Sequence, residues 1–178
     1  MMANAPADAM MTSIARVDRL LTAARDTMAR VTYCWAATPS EDGGVNVRVV
    51  GPIPGVSGEE DLTIWFVTSD GSRKAADIRR AGRLTLGYQH HPDRGPDDYV
   101  ALVGRAALVE DRSEIRDRWL EKWRLFFPGG PDDPDVIFVR MNVDRIELCV
   151  RDVTPEPFGS RYSAIERGDD RSWKIVSD

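Results

Sequence analysis

The chain has 178 residues, 42% of them hydrophobic and 30% charged, with a formal net charge of −5. That length suits one globular domain burying roughly 70% of its unfolded surface, and the balance of apolar and charged residues excludes a disordered chain. The net acidity argues against general binding to nucleic acid, and no run approaches the roughly 20 apolar residues of a membrane span.

The first residues (MMANAPADAMM) carry no basic region followed by an apolar run, so no signal peptide is expected. Ile14, Val17, Leu20, Leu21, Ala24 and Met28 recur at helical spacing between Thr12 and Ala29, which predicts an amphipathic helix capped by Thr12 or Ser13. From Val31 the period changes to that of a strand, Val31 to Ala37, and Ser40 to Gly44 reads as a hairpin turn. Val45, Val47 and Val49 then alternate with Asn46 and Arg48, the pattern of a half-buried strand with the arginine on its polar, solvent-facing side.

Gly51 to Asp61 reads as a loop, Leu62 to Thr68 as a strand, and Gly71 to Arg80 as a helix stopped at Ala81-Gly82. Arg83 to Gln89 and Tyr99 to Glu110 are strands flanking a polar loop with Pro92, Gly95 and Pro96, and Gly104 marks a bend or bulge. Ser113 opens a helix with Ile115, Trp119, Trp123 and Phe126 on one side, ending at Pro128-Gly129-Gly130-Pro131. Val136 to Asn142 and Arg145 to Val150 are two further strands, and the polar tail holds short strand candidates at Tyr162–Ile165 and Trp173–Val176. Six or seven strands at this density, with Gly-rich turns, predict a mainly β, antiparallel barrel or sandwich with helices packed outside.

The most informative stretch is Thr68-Ser69-Asp70-Gly71-Ser72-Arg73-Lys74. A strand ends there, hydroxyls cluster, and the first helical turn holds two cations, although a helix N-terminus disfavours cations by a few tenths of a kcal/mol each. A bound anion reverses that sign, because N–H groups, hydroxyls and cations then converge on one phosphate; the alternative is an ordinary N-capped helix with solvated cations. Arg48 reaches the same anion if the barrel sets its strand beside Ser69. His90 and His91, the only histidines, read as surface residues and leave a metal site poorly supplied. The acidic run Pro131 to Asp135 reads as a rigid turn rather than a calcium loop. Cys34 and Cys149 are expected as buried thiols in a reducing, cytoplasmic setting.

Ile64 to Ser69 leading into Ser72-Arg73-Lys74 resembles the pyridoxamine 5′-phosphate oxidase-like superfamily of FMN-binding split barrels. The helix and strand KAADIRRAGRLTLGYQ, the strand Tyr99 to Ala106 and the phrase Phe127 to Asp135 are similar to its general-stress-protein branch. The resemblance covers about Val31 to Val150. It implies a six- to seven-stranded split barrel over 31–150, with an N-terminal helix over 1–30 packed on it and a tail over 151–178. It also implies a homodimer with FMN at the interface. Arg48, Val49 and Val50 match the strand touching the flavin ring and ribityl chain. Val67, Thr68 and Ser69 match the strand end along the ribityl phosphate, and Ser72, Arg73 and Lys74 the phosphate clamp. Tyr99 matches a polar cofactor contact. No histidine follows His91, so the arginine–histidine motif with which true pyridoxamine phosphate oxidases hold substrate is missing.

The expected function is therefore an FMN-dependent oxidoreductase of unknown substrate, with no catalytic side chain assigned and a small molecule as its reaction partner. Its rivals are a flavin-storing or sensing module without turnover, a split barrel using deazaflavin or haem, and a barrel that has lost its cofactor.

Overall fold

The computed structural model describes residues 5–53, 62–91, 93 and 98–177. Its helices are α1 (Ala5–Ala29), α2 (Arg73–Ala81) and α3 (Arg112–Arg118), with 3-10 turns at Glu121–Leu125 and Gly130–Asp132. Its strands are β1 (Cys34–Pro39), β2 (Val45–Val50), β3 (Thr63–Ser69), β4 (Arg83–His90), β5 (Asp98–Val109), β6 (Val136–Cys149), β7 (Ser163–Arg167) and β8 (Trp173–Ser177). They form one sheet in the order β2-β1-β4-β5-β6-β7-β8, with β3 pairing β6 off this path. This is the expected mainly β split barrel, with eight strands in place of six or seven because both tail candidates form. The loops read at Gly51–Asp61 and around Pro92, Gly95 and Pro96 lie mostly outside the described residues.

Several elements differ from the sequence reading: α1 begins at Ala5, so Thr12 and Ser13 lie inside it rather than cap it, and β1 runs Cys34–Pro39 in place of Val31–Ala37. The strands expected at Val136–Asn142 and Arg145–Val150 are one continuous β6, which changes partner between the two stretches. Its first half pairs antiparallel with β3, from Ser69↔Val136 to Thr63↔Asn142, and its second half with β7, from Arg145↔Glu166 to Leu148↔Ser163. The helix expected through Phe126 breaks at Trp119, whose backbone is extended (φ −62°, ψ 135°). The break lets Trp119 and Trp123 meet edge to face, with ring centroids 5.6 Å apart, and sets Trp123 against Phe138 at 5.5 Å. Each such pair contributes roughly 0.5–1.5 kcal/mol beyond the area it buries. Phe126 is left exposed.

The chain forms two compact units. One comprises the described residues of Met1–Thr32, Gly87–Leu102 and Asp144–Asp178. In it α1 turns Val17, Leu20, Leu21 and Ala24 inward, and the Arg16 guanidinium donates to the Val153 carbonyl at 2.7 Å. The expected N-terminal helix and C-terminal tail thus share one unit.

The other unit comprises Tyr33–Leu86 and Val103–Val143, less the undescribed residues. Its core is Trp65, Ile115, Trp123, Val136 and Phe138, with Val67 and Trp119 at the margin. The Arg118 guanidinium lies 3.7 Å from the Trp65 ring centre and covers its face. Within this unit β5 approaches β6 so closely at Gly104 that an added Cβ would stand 2.1 Å from the Asn142 carbonyl oxygen. The glycine is a backbone contact. Replacing it with alanine forces the two strands apart, so Gly104→Ala should cost about 2 kcal/mol or more, read as a lowered midpoint in thermal denaturation.

Candidate functional site

The β1–β2 hairpin pairs Trp35 with Val49, Ala36 with Arg48, and Thr38 with Asn46. Its alternation is the reverse of the expected one. Val45, Val47 and Val49 are exposed at 66%, 56% and 53%, while the Arg48 side chain is 19% exposed and Thr38 is buried. A strand of period two tells which residues share a face, not which face is covered. Here the polar face is covered, because it meets a carboxylate that needs donors.

That carboxylate is Asp77, buried on α2. Its Oδ2 accepts from Thr38 Oγ1 at 2.7 Å, Asn46 Nδ2 at 3.0 Å and Arg48 Nη2 at 3.4 Å. Its Oδ1 accepts from Arg80 at 3.2 Å, and Arg80 also donates to the Pro39 carbonyl at 2.5 Å. Burial pushes the Asp77 carboxyl up, but donation from Thr38, Asn46, Arg80 and Arg48 together outweighs it and holds the group below the usual carboxylate range. Arg48 is fixed from a second side, donating through Nη1 to Thr38 Oγ1 at 2.6 Å and to the Asn46 carbonyl at 3.3 Å.

At the start of α2, Ser72 is the N-cap and its hydroxyl accepts from the Ala75 N–H at 3.2 Å. Thr68 Oγ1 lies 3.2 Å from Ser72 Oγ, so the strand end and the cap share a hydrogen bond. Arg73 is exposed, whereas Lys74 is half-buried. Burial first, and the neighbouring charge of Arg48 second, push the Lys74 ammonium below the usual lysine range. Among the described residues no carboxylate pairs with either Arg73 or Lys74. An ammonium that is desolvated, repelled by a guanidinium and left without a counter-ion fits an anionic ligand of the phosphate class.

The residues singled out from sequence therefore separate into groups. Thr68 and Ser72 share a hydrogen bond at the α2 N-terminus, while Arg48 bonds Asp77 on the same helix and its charge bears on Lys74. Ser69 is turned to the other face of β3, where its hydroxyl donates to Asp135 Oδ1 at 2.8 Å. The Gly71 N–H donates to the same oxygen at 3.3 Å. The Ser69 and Gly71 bonds hold the Asp135 carboxyl below its ordinary value, and the acidic run thus supplies an internal anion to the turn. Val67 packs on the Trp65 cluster, Val49 is exposed and Val50 is buried. Tyr99 belongs to the other unit, where its ring meets Tyr162 edge to face at 6.1 Å. Burial chiefly, with Glu147 and Tyr162 adding, raises its phenol above the ordinary value.

Sequence reasoning missed Asp77, Thr38 and Asn46. The usable signal was a lone acid in the helix Arg73–Ala81, placed among Arg73, Lys74, Arg79 and Arg80 beside the apolar Ala75 and Ile78.

The sequence model of a family described as pyridoxamine 5′-phosphate oxidase like matches residues 21–149. Among curated proteins none matches. The solved structures similar to this chain include a Clostridium acetobutylicum protein related to general stress protein 26 of B. subtilis (15% identity, TM-score 0.66, covering 83% of this chain and 94% of that one). They also include a pyridoxamine 5′-phosphate oxidase-related, FMN-binding protein from Nostoc punctiforme (15% identity, TM-score 0.62, 91% and 94%). A haem-binding protein from Mycobacterium smegmatis shares the fold as well (15% identity, TM-score 0.61, 82% and 57%).

The electrostatics of Lys74 give a testable sign. A lysine whose pKa is lower folded than unfolded destabilises the protein while it is charged, and that penalty disappears as pH rises from the folded value to the unfolded one near about 10.4. In cofactor-free protein Lys74→Met should therefore raise stability at neutral pH by about 0.5–1 kcal/mol. The advantage should shrink as the pH is raised toward 10.4, as melting curves at successive pH values will read.

Proposed function

Because the chain belongs to the pyridoxamine 5′-phosphate oxidase-like family, we propose that it is an FMN-dependent oxidoreductase, acting as a homodimer on a substrate other than pyridoxamine 5′-phosphate. The observation that carries this reading is Lys74, half-buried, beside the charge of Arg48 and without a carboxylate partner among the described residues. In this reading the phosphate of FMN is the missing counter-ion. Lys74 and Arg48 supply charge, Arg73 adds a solvent-screened cation, and the hydroxyls of Thr68 and Ser72 orient the phosphate oxygens. When bound, FMN supplies hydride or electron transfer at the N5 edge of its ring. The protein's tasks are to fix the phosphate, hold the ring and shape access to it.

The exposed face of the hairpin supports a second copy as partner. Trp35, Val45, Val47 and Val49 present apolar side chains on one side of a terminal pair of strands. A face of that composition is expected to be covered in solution. Val47→Asp sets a charge at its centre and should convert the dimer to monomer, as read by light scattering of the purified protein.

A second reading has one observation in its favour. Among the described residues His90 Nδ1 is buried with no hydrogen-bond partner, and an imidazole nitrogen of that kind would serve as a ligand to a haem iron. An absorption spectrum of the protein, taken after adding excess cofactor and desalting, separates the two. Retained flavin at one per chain supports the leading reading, and a Soret band without retained flavin supports the second.

The clamp makes its own prediction. Lys74→Ala should cost about 1.5–3 kcal/mol of FMN affinity, because a charge-assisted bond to phosphate is lost from a partly desolvated position. Arg73→Ala should cost about 1 kcal/mol or less, since its charge is screened by water. Fluorescence titration with FMN checks both, and equal losses would remove Lys74 from its central role.

A further inference from the structure

Arg48 does not reach the α2 N-terminus unaided. It comes from β2, at one end of the sheet order, and β2 does not pair with β3. What brings it to α2 is a polar cluster. Asp77 Oδ2 collects Thr38, Asn46 and Arg48, and Thr38 uses one hydroxyl both to donate to Asp77 at 2.7 Å and to accept from Arg48 at 2.6 Å. Asp77 lies one helical turn after Lys74, so the acid that receives Arg48 also sets its height on the helix. The direct Arg48–Asp77 contact is long at 3.4 Å, while the contact through Thr38 is short. Asp77 therefore pairs with the guanidinium loosely, and the shorter bond through Thr38 does most to orient it.

We propose that Asp77 is a positioning residue that holds Arg48 beside Lys74 through Thr38, and thereby gives the site its preference for a phosphorylated flavin over the unphosphorylated one. This rests on the flavin reading above. The proposal is opposed in sign to simple electrostatics. Removing a negative charge near an anion site strengthens anion binding if charge alone matters, whereas removing a positioning group weakens it.

The test is titration of FMN and of riboflavin, which lacks the phosphate, into wild-type protein and Asp77→Asn. FMN affinity should fall about tenfold or more, the scale of one charged hydrogen bond, with riboflavin affinity held within about twofold. The loss should vanish in an Arg48→Ala background, because the acid acts only through the arginine. Tighter FMN binding, equal loss of both flavins, or an undiminished effect without Arg48 would overturn the assignment. Should Asp77→Asn fail to fold, as read by circular dichroism, Thr38→Val breaks the same relay and is held to the same outcomes. Wild-type protein that binds neither flavin overturns the functional reading itself, and this proposal with it, before any variant is measured.

Discussion

A buried carboxylate cannot remain ionised without donors, and among the described residues Asp77 draws them from Thr38, Asn46, Arg48 and Arg80. That requirement decides which face of β2 turns inward, which side of α2 is packed, and where the guanidinium of Arg48 points. An apolar residue in its place would pack the helix as well, since buried ionic clusters often add little net stability over hydrophobic isosteres. What it would not do is carry a cation to the start of a helix that already holds two.

The start of α2 is accordingly built against its own stability. Two cations face the positive end of a helix dipole, and one of them is also withdrawn from water beside a third. Nearby, the same type of position is handled in the opposite way: Asp135 fills the β3–α2 turn with an internal acceptor and leaves Ser69 and Gly71 satisfied. The two solutions sit on opposite faces of one strand end. One is closed by an acceptor from the chain, whereas the cations of the other have no carboxylate partner among the described residues.

Much of this was legible in the sequence. The strand Ile64 to Ser69, the hydroxyls at Thr68 and Ser72, and the paired cations at Arg73 and Lys74 are local features, and local spacing marks them. The glycine stop also formed as read, with Gly82 in the left-handed region at φ 60° and its N–H bonded to the Ile78 carbonyl. What could not be read is set by distant partners. β6 continues through Asn142 and Asp144 because β7 takes over where β3 ends, and α3 breaks because Trp119 and Trp123 must both reach the ring of aromatic residues near Phe138. The inversion of β2 is of the same kind. Its alternation was plain, but the acid that claims its polar face lies 29 residues beyond Arg48.

The orientation of β2 has a cost in handling. Charged side chains along an edge strand normally guard it against pairing with other chains, and β2 stands at the end of the sheet order with its one arginine turned inward. The outward side is left with valines alone, so backbone and side chains offer two adhesive surfaces on one short segment. During synthesis, strand addition competes with folding. A chain that commits its gatekeeper to a buried carboxylate must rely on prompt burial of that strand to stay out of aggregates.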